Sequence, residues 1–299
     1  MATVTLTPAN TFWVVPDGIT LLDMVEVRGG GGSGGATTAN TTAGGGGGGG
    51  AYARNNNVAV IPRTNITVAV GQGGASVTGN TNGVVGNNSS WNNGAILAMR
   101  GANGLRTNAS GAGGNTASSI GQVKFAGGAG AVGVNSTVIG GGGGAGGGNN
   151  NQGNAGSGVN GGVGQQGGGS GGAGGNGRNL DGSAGYVHGG GGGGSGGNNS
   201  GTRASGAGGN GSIIITYQEK TIAGITYGNT GAVLGACDVY LFCDNGNNAA
   251  TFLGNATSNA TTGAYSFTVS GEQTGYFVVA FKTGSPNVAD ITTRGLTAV

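Results

Sequence analysis

Apolar and polar residues along the chain predict β-structure at its two ends and little between. The run Thr11-Phe12-Trp13-Val14-Val15-Pro16 leads into Asp17-Gly18. A second run, Ile19 to Arg28, then interleaves Leu22, Met24, Val25 and Val27 with Asp23, Glu26 and Arg28. Two apolar runs around an Asp-Gly pair predict a β-hairpin. Further strands are predicted over 57–61 and 65–70; in the second, Ile66, Val68 and Val70 share one face. Weaker patterns cover 95–99, 120–125 and 132–139. The run Gly211-Ser212-Ile213-Ile214-Ile215-Thr216-Tyr217 is rich in β-branched residues and predicts another strand. It and 11–28 are the most apolar runs of the first 217 residues, so both are expected in one β-domain, with the chain between them emerging from it.

After Tyr217 the pattern changes. Residues 218–299 alternate more regularly, with turn signals at Gly228-Asn229-Thr230-Gly231 and Asp244-Asn245-Gly246. Several short strands at this spacing predict a small β-sandwich. Val239, Leu241, Tyr265, Phe267, Phe277 and Val279 are expected in or beside its core. Cys237, Val239, Leu241 and Cys243 fall on one face of a single strand. Six residues of strand hold the two sulfurs roughly 20 Å apart, too far for a disulfide, so they are expected as core thiols.

Composition separates the middle of the chain from both ends. Glycine supplies 79 of 299 residues, and only 7% are charged. Glycine in a helix interior costs about 1 kcal/mol, which excludes long helices. Collagen is excluded by 4 prolines and the lack of a Gly-X-Y register. The disorder signature, low hydrophobicity with high net charge, is absent at 35% hydrophobic residues and a charge of +2. Residues 140–211 are about half glycine, with Ala, Ser, Asn and Gln making up nearly all the rest. A flexible linker is one reading. The other is order. Glycine adopts an extended threefold helix without internal hydrogen bonds, and such helices can pair their backbones side by side. Order is the expectation here, because a strong strand follows the tract. Ordering each backbone unit costs roughly 1–2 kcal/mol, so dense pairing is required, within the chain or with symmetry-related copies. A homo-oligomer is therefore expected.

Little in the chain points to chemistry. Residues 1–217 carry eight Lys/Arg against four Asp/Glu, and residues 218–299 three against five. Neither half has the basic footprint of a nucleic-acid binder. No run approaches the roughly 18 apolar residues of a membrane span, and no basic-then-apolar leader opens the sequence. Synthesis in a cytosol without membrane insertion is expected. Lys124, Lys220 and Lys282 are the only lysines, and none follows a phosphate-loop pattern. The single histidine, His188, would have to serve any Ser–His or Cys–His site. Nine acidic residues are a thin supply for a paired-carboxylate hydrolase. No enzyme, cofactor or metal site is therefore expected. The candidate ligand-binding residues are loop aromatics. They are Trp91, in Ser89-Ser90-Trp91-Asn92-Asn93-Gly94, together with Tyr186 and His188 in Gly185-Tyr186-Val187-His188-Gly189. Rings and amides in loops suit sugars or protein surfaces; Trp91 capping a small core is the other reading.

One series of landmarks has a known counterpart. "FWVVPDGITLLDMVEVRGGGGSGG", "AYARNNNVAVIPRTNITVAVGQGG", "SSWNNGAILAMRGANG" and, after long glycine tracts, "GGNGSIIITY" occur in that order. The series resembles the glycine-rich domain of phage tail and fibre proteins over about residues 8–217. "GNTGAVLGACDVYLF", "TTGAYSFTV" and the ending "SPNVADITTRGLTAV" resemble transthyretin-like, carboxypeptidase-regulatory-like domains over about 219–299. The resemblance implies an all-β protein and, as for a fibre-like protein, a trimer as the first homo-oligomer. Domain 1–217 would be a glycine-rich β-domain with polyglycine-type extended segments, and 218–299 a small Ig-like or transthyretin-like β-sandwich. It implies a non-enzymatic structural protein of a phage virion surface, made in the host cytoplasm: a capsid decoration, head fibre or tail fibre component whose partners are other virion proteins. The second reading is a receptor-binding tail adhesin that recognises a host surface glycan or outer-membrane protein.

Overall fold

The computed structural model describes residues 1–197, 201–244, 250–269, 275–283, 288–291, 296 and 298. Among them the chain is all-β, apart from one 3-10 turn at Asn92–Gly94. In chain order the strands are β1 (Ala2–Leu6), β2 (Phe12–Val14), β3 (Leu21–Arg28), β4 (Tyr52–Ala59), β5 (Asn65–Ala69), β6 (Ser89–Trp91), β7 (Ile96–Ala98), β8 (Val123–Phe125) and β9 (Ser212–Tyr217). They continue with β10 (Lys220–Ile225), β11 (Asp238–Cys243), β12 (Thr251–Thr257), β13 (Ala264–Val269), β14 (Tyr276–Lys282) and β15 (Val288–Ile291).

Two antiparallel sheets of order β1-β9-β3-β4-β8 and β2-β5-β6-β7 form the first unit. The late strand β9 lies between β1 and β3, pairing Ile215 with both Val4 and Val25. The expectation that 11–28 and 212–217 share one β-unit holds. The expected hairpin does not form. β2 pairs with β5 through Trp13↔Ile66, whereas β3 pairs with β4 and β9. Residues 15–20 instead carry the chain from one sheet to the other, so that Trp13 and Val25 reach one core from opposite sides. A hairpin would have left the second side of that core open. The predicted strands at 57–61 and 65–70 are likewise split, into β4 and β5 of different sheets. Between the sheets, Trp13, Val68, Trp91 and Ile96 meet Val25, Val27, Ala53, Ile213 and Ile215. The Trp13 ring is 5.6 Å from Trp91 and 6.3 Å from Tyr217. Residues 132–139 do not form the expected strand; a single bridge, Val134↔Ile139, closes a turn there.

The second unit has sheets of order β10-β13 and β12-β11-β14-β15, a sandwich-like pair with its own hydrophobic cluster. Cys237, just before β11, and Val239, Leu241 and Cys243 on it are buried on one side, both cysteines as thiols outside any disulfide. Phe267 is buried and Tyr265 packs beside it. Phe277 and Val279 are a correction. Tyr276 and Val278 are the fully buried residues of β14, which turns Phe277 and Val279 to the opposite face. The run Tyr276-Phe277-Val278-Val279-Ala280-Phe281 is apolar at every position, so sequence alternation could not fix its parity. Of the expected turn at Asp244-Asn245-Gly246, the last two residues lie outside the described residues, as does much of the 285–299 ending.

The turn between β2 and β3 joins the two units. The Gly18 N–H donates to the Leu253 carbonyl of β12 at 3.3 Å, and Gly18 adopts φ +72. A Cβ on Gly18 would collide with the Thr268 carbonyl of β13. The turn therefore wedges between the edge strands of the second unit's two sheets.

Candidate functional site

The glycine tracts form a lattice whose order comes mainly from the backbone, with a few side-chain acceptors such as Ser195 Oγ and Ser33 Oγ taking single amides. Around residues 44–51 the hydrogen bonds repeat every third residue. Gly44, Gly47 and Gly50 donate to Ser195, Gly192 and Gly189; Gly45, Gly48 and Ala51 donate to Leu105, Ala102 and Met99; Gly46 and Gly49 donate to Ala131 and Gly128. These bonds span 2.7–3.0 Å. The carbonyls of the same segment accept from three other passes of the chain, at Gly29–Gly35, Gly111–Gly114 and Gly141–Gly147. Period three is the signature of an extended glycine helix. Six neighbours, three receiving bonds and three giving them, make hexagonal packing. At Gly47 an added Cβ would collide with the Gly32 carbonyl, and at Gly49 with that of Ala145. The Cα–H bonds thus point at neighbouring carbonyls, a weak attraction repeated across the lattice.

The described part of 140–211 belongs to this lattice. Gly143 donates to Gly172, Gly172 to Gly191 and Gly191 to Gly144. The expected order is present. It is satisfied inside one chain, because the tract doubles back and each pass supplies partners for another. Of the two expected sources of partners, the same chain supplies them, and a second copy is not a physical requirement of the lattice.

Loops leave the lattice at both ends. Those at 37–42, 106–108 and 134–138 adjoin Gly44 and lie away from the sheets, whereas 149–152, 165–167 and 186–188 adjoin Gly50, where the chain enters β4. Tyr186 and Val187 are exposed at one such loop, at 67% and 62%. His188 turns inward and its Nδ1 lies 2.7 Å from the Ser212 hydroxyl. Trp91 is 1% exposed and belongs to the core, so its expected role as an exposed ligand-binding ring is corrected to a packing role. The three candidates do not share a surface. The Ser212–His188 pair resembles half of a nucleophile–base arrangement. Ser212, however, is 3% exposed, and its hydroxyl is not presented to a substrate.

Beside His188 is a buried polar cluster that sequence reasoning missed. Cross-strand pairs Arg28↔Tyr52 and Arg28↔Ser212 put these residues on the face of the large sheet opposite the apolar core. Glu26 Oε1 accepts from the Tyr52 hydroxyl at 2.7 Å and from Arg28 Nη2 at 3.3 Å. The guanidinium lies 5.0 Å over the Tyr52 ring. Both charged side chains are under 10% exposed, at 3% and 7%. Burial, then the Arg28 charge, pushes His188 below its ordinary pKa, partly opposed by Glu26. Burial and the bond to Glu26 push the Tyr52 hydroxyl far up. The visible signal was the placement of Glu26 and Arg28 inside an apolar strand run.

A cavity of about 390 Å³ lies at the seam between the units. Asp17, Glu219, Asn255 and Thr268 line it above a floor of Leu241, Leu253 and Phe267. Arg63 grips Asp17 with two bonds of 2.7 and 2.9 Å and donates to Asn255 at 3.3 Å. The Arg63 hydrogen bond holds Asp17 below the usual carboxylate range, against a smaller opposing effect of burial. Among the described residues, no group of three His, Cys, Asp or Glu is placed to hold a metal ion. No helix among them is long and apolar enough to cross a membrane.

No curated protein matches the chain. The family model of the glycine-rich domain does match it, over residues 5–218. The ordered landmarks and the backbone lattice fall within that span, and the chain belongs to the glycine-rich domain family.

Proposed function

We propose that the protein is a non-enzymatic structural component of a phage virion surface, in which domain 1–217 is a rigid display scaffold and 218–299 a transthyretin-like companion. One observation carries this reading: the lattice is held by backbone bonds on six sides, independent of loop sequence. Such a scaffold can present loops of any composition at fixed spacing. Its stability rests little on the side chains at the tips, one of which, Asn135, accepts from the Ala43 N–H through Oδ1. The two hydrophobic clusters support the division near residue 217. A capsid decoration, a head fibre or a tail fibre would each be served by such a scaffold, with other virion proteins as partners; a trimer is favoured for the fibre-like role alone, since the lattice itself needs no second copy. Synthesis takes place in the host cytoplasm, and the site of action is the particle exterior.

The second reading is a tail adhesin for a host surface molecule. The exposed Tyr186 and Val187, and Leu180 on another loop, favour it, since exposed apolar tips gain by burial against a partner. Immunogold labelling of purified particles, with mass spectrometry of their proteins, tests the proposal. Label on the capsid or fibres supports the structural role, and label at the tail tip supports the adhesin. Absence of the protein from particles overturns both.

A further inference from the structure

The outer face of the second unit carries an aromatic surface that its core does not use. On β11, Val239, Leu241 and Cys243 point inward, which turns Tyr240 and Phe242 outward. A bulge between Leu241 and Phe242 shifts the register, so that Phe242 pairs with Phe252 of β12. That shift brings Phe252 to the outer face while Leu253 stays buried. On β14, Phe281 lies on the same side, facing Asp238 of β11. The rings form a connected row. Phe242 lies 5.5 Å from Phe252, Tyr240 lies 6.2 Å from Phe252, and Tyr240 lies 5.6 Å from Phe281. Phe277 stacks against Phe242 at 5.3 Å and 13°, which extends the row at its Phe242 end. Phe252 and Phe281 remain 41% and 43% exposed.

The margins of the row are polar and already fixed in place. Arg63 lies 5.1 Å over the Phe252 ring while bound to Asp17 and Asn255. Asn255 pairs across from Tyr240 and is exposed; Asp238 is exposed beside Phe281. The surface is thus a row of tilted rings, one face of Phe252 carrying the Arg63 guanidinium, with Asn255 and Asp238 along its margin.

Size and chemistry select the occupant. With aromatic side chains of about 200 Å² each, the rings offer roughly 300 Å². That is well under the about 800 Å² that each partner of a stable protein complex buries. A narrow ligand fits better than a second copy. The ligand needs one flat, weakly positive C–H face for the ring quadrupoles and hydroxyls at its edges for Asn255, Arg63 and Asp238. A pyranose ring has this form, and a chain of them follows a row of rings. We propose that the outer face of β12, β11 and β14 is a carbohydrate-stacking surface for a chain of neutral hexopyranose units. It is distinct from the lattice loops and does not depend on which of the two readings above is right.

The test is affinity electrophoresis of the full chain through gels containing dextran, laminarin or galactomannan. At least one polysaccharide should retard the protein. The double variant Phe242→Ala/Phe252→Ala should weaken that retardation at least tenfold, and Tyr240→Ala about threefold. Phe252→Trp should retain it, and Tyr186→Ala, at a lattice loop, should leave it unchanged. All four variants should keep the parent circular dichroism, since their side chains lie outside the core. Retardation in no gel overturns the proposal, as does retardation that the ring variants do not reduce. Concentration-dependent dimers that the same ring variants dissolve would also overturn it, in favour of a second copy on this face.

Discussion

The glycine lattice and the second unit's two sheets solve the same problem by opposite means. In the sandwich-like unit, Val239, Leu241, Cys243, Tyr276 and Val278 remove side-chain area from water, at about 25 cal/mol per Å². The backbone ladders there register the strands, and the apolar faces choose which sides meet. In the lattice there is almost no side-chain area to bury. Most backbone amides there find a carbonyl on a neighbouring pass, and the passes approach closely because no Cβ stands between them. A core of side chains tolerates changes of volume at moderate cost. A core of backbone tolerates hardly any, because the colliding groups cannot change rotamer. The difference teaches where variation is allowed: on the outer faces of the sheets in one unit, and only at the loop tips in the other.

Substitutions sharpen this contrast, beginning with the lattice. Gly47→Val drives two methyl groups into the Gly32 backbone at the centre of the packing, and should unfold the lattice rather than shift its melting point. Asn150→Val, at an exposed loop, should change stability by no more than about 0.5 kcal/mol. Thermal melts and limited proteolysis of the two variants would decide the point; equal behaviour would show that the lattice is not tightly packed. Trp91→Ala removes a ring from the first unit's side-chain core and should cost about 3–5 kcal/mol, with Leu241→Ala in the second unit at about 2–5 kcal/mol. Denaturant unfolding measures both, and each should affect its own unit's transition.

Glu26→Ala leaves the Arg28 guanidinium buried without its carboxylate, at a cost of about 3–5 kcal/mol. Replacing both partners by apolar residues of similar volume should recover much of this, which a double-mutant comparison would show. His188 gives the pH dependence. Its pKa lies below the ordinary 6.5 in the folded chain, so the unfolded chain takes up the proton first. Stability should be full above about pH 6.5 and fall as the pH drops below it. The melting point of the first unit should therefore decline on acidification, and His188→Gln should flatten the decline. The smallest effect belongs to the seam. Asp17, depressed by Arg63, stabilises above its unfolded carboxylate range and loses that contribution as pH falls through it. The pair is half exposed, at 44% and 56%, so Asp17→Asn should cost at most about 1 kcal/mol. Added salt should reduce that difference further.

The candidate sites were only partly legible in the chain. Tyr186 reads correctly as an exposed loop aromatic, since glycine surrounds it and offers nothing to cover the ring. Trp91 reads as a loop residue from its polar neighbours, yet Ser89–Trp91 is a strand whose partner, Val68, lies 23 positions earlier. The Glu26–Arg28–Tyr52–His188 cluster needed three segments to converge. Only the alternation of two charges inside an apolar run hinted at it.

What the sequence determined by itself follows from local chemistry. Scarce charge, abundant glycine and β-branched end strands leave an all-β fold with an extended glycine tract as the consistent outcome. The single-face burial of Cys237, Val239, Leu241 and Cys243 follows from period-two alternation. The tertiary structure decided what local pattern leaves degenerate. A run apolar on both faces, as at 276–281, has no preferred parity until a facing sheet selects one. The turn at Asp17-Gly18 suits a hairpin and a crossover equally; the second sheet, needed to cover Val25 and Val27, made it a crossover. A tract of glycines carries no side-chain information about its neighbours. Which passes pair, and that one chain suffices, is settled only when the N–H groups find acceptors in three dimensions.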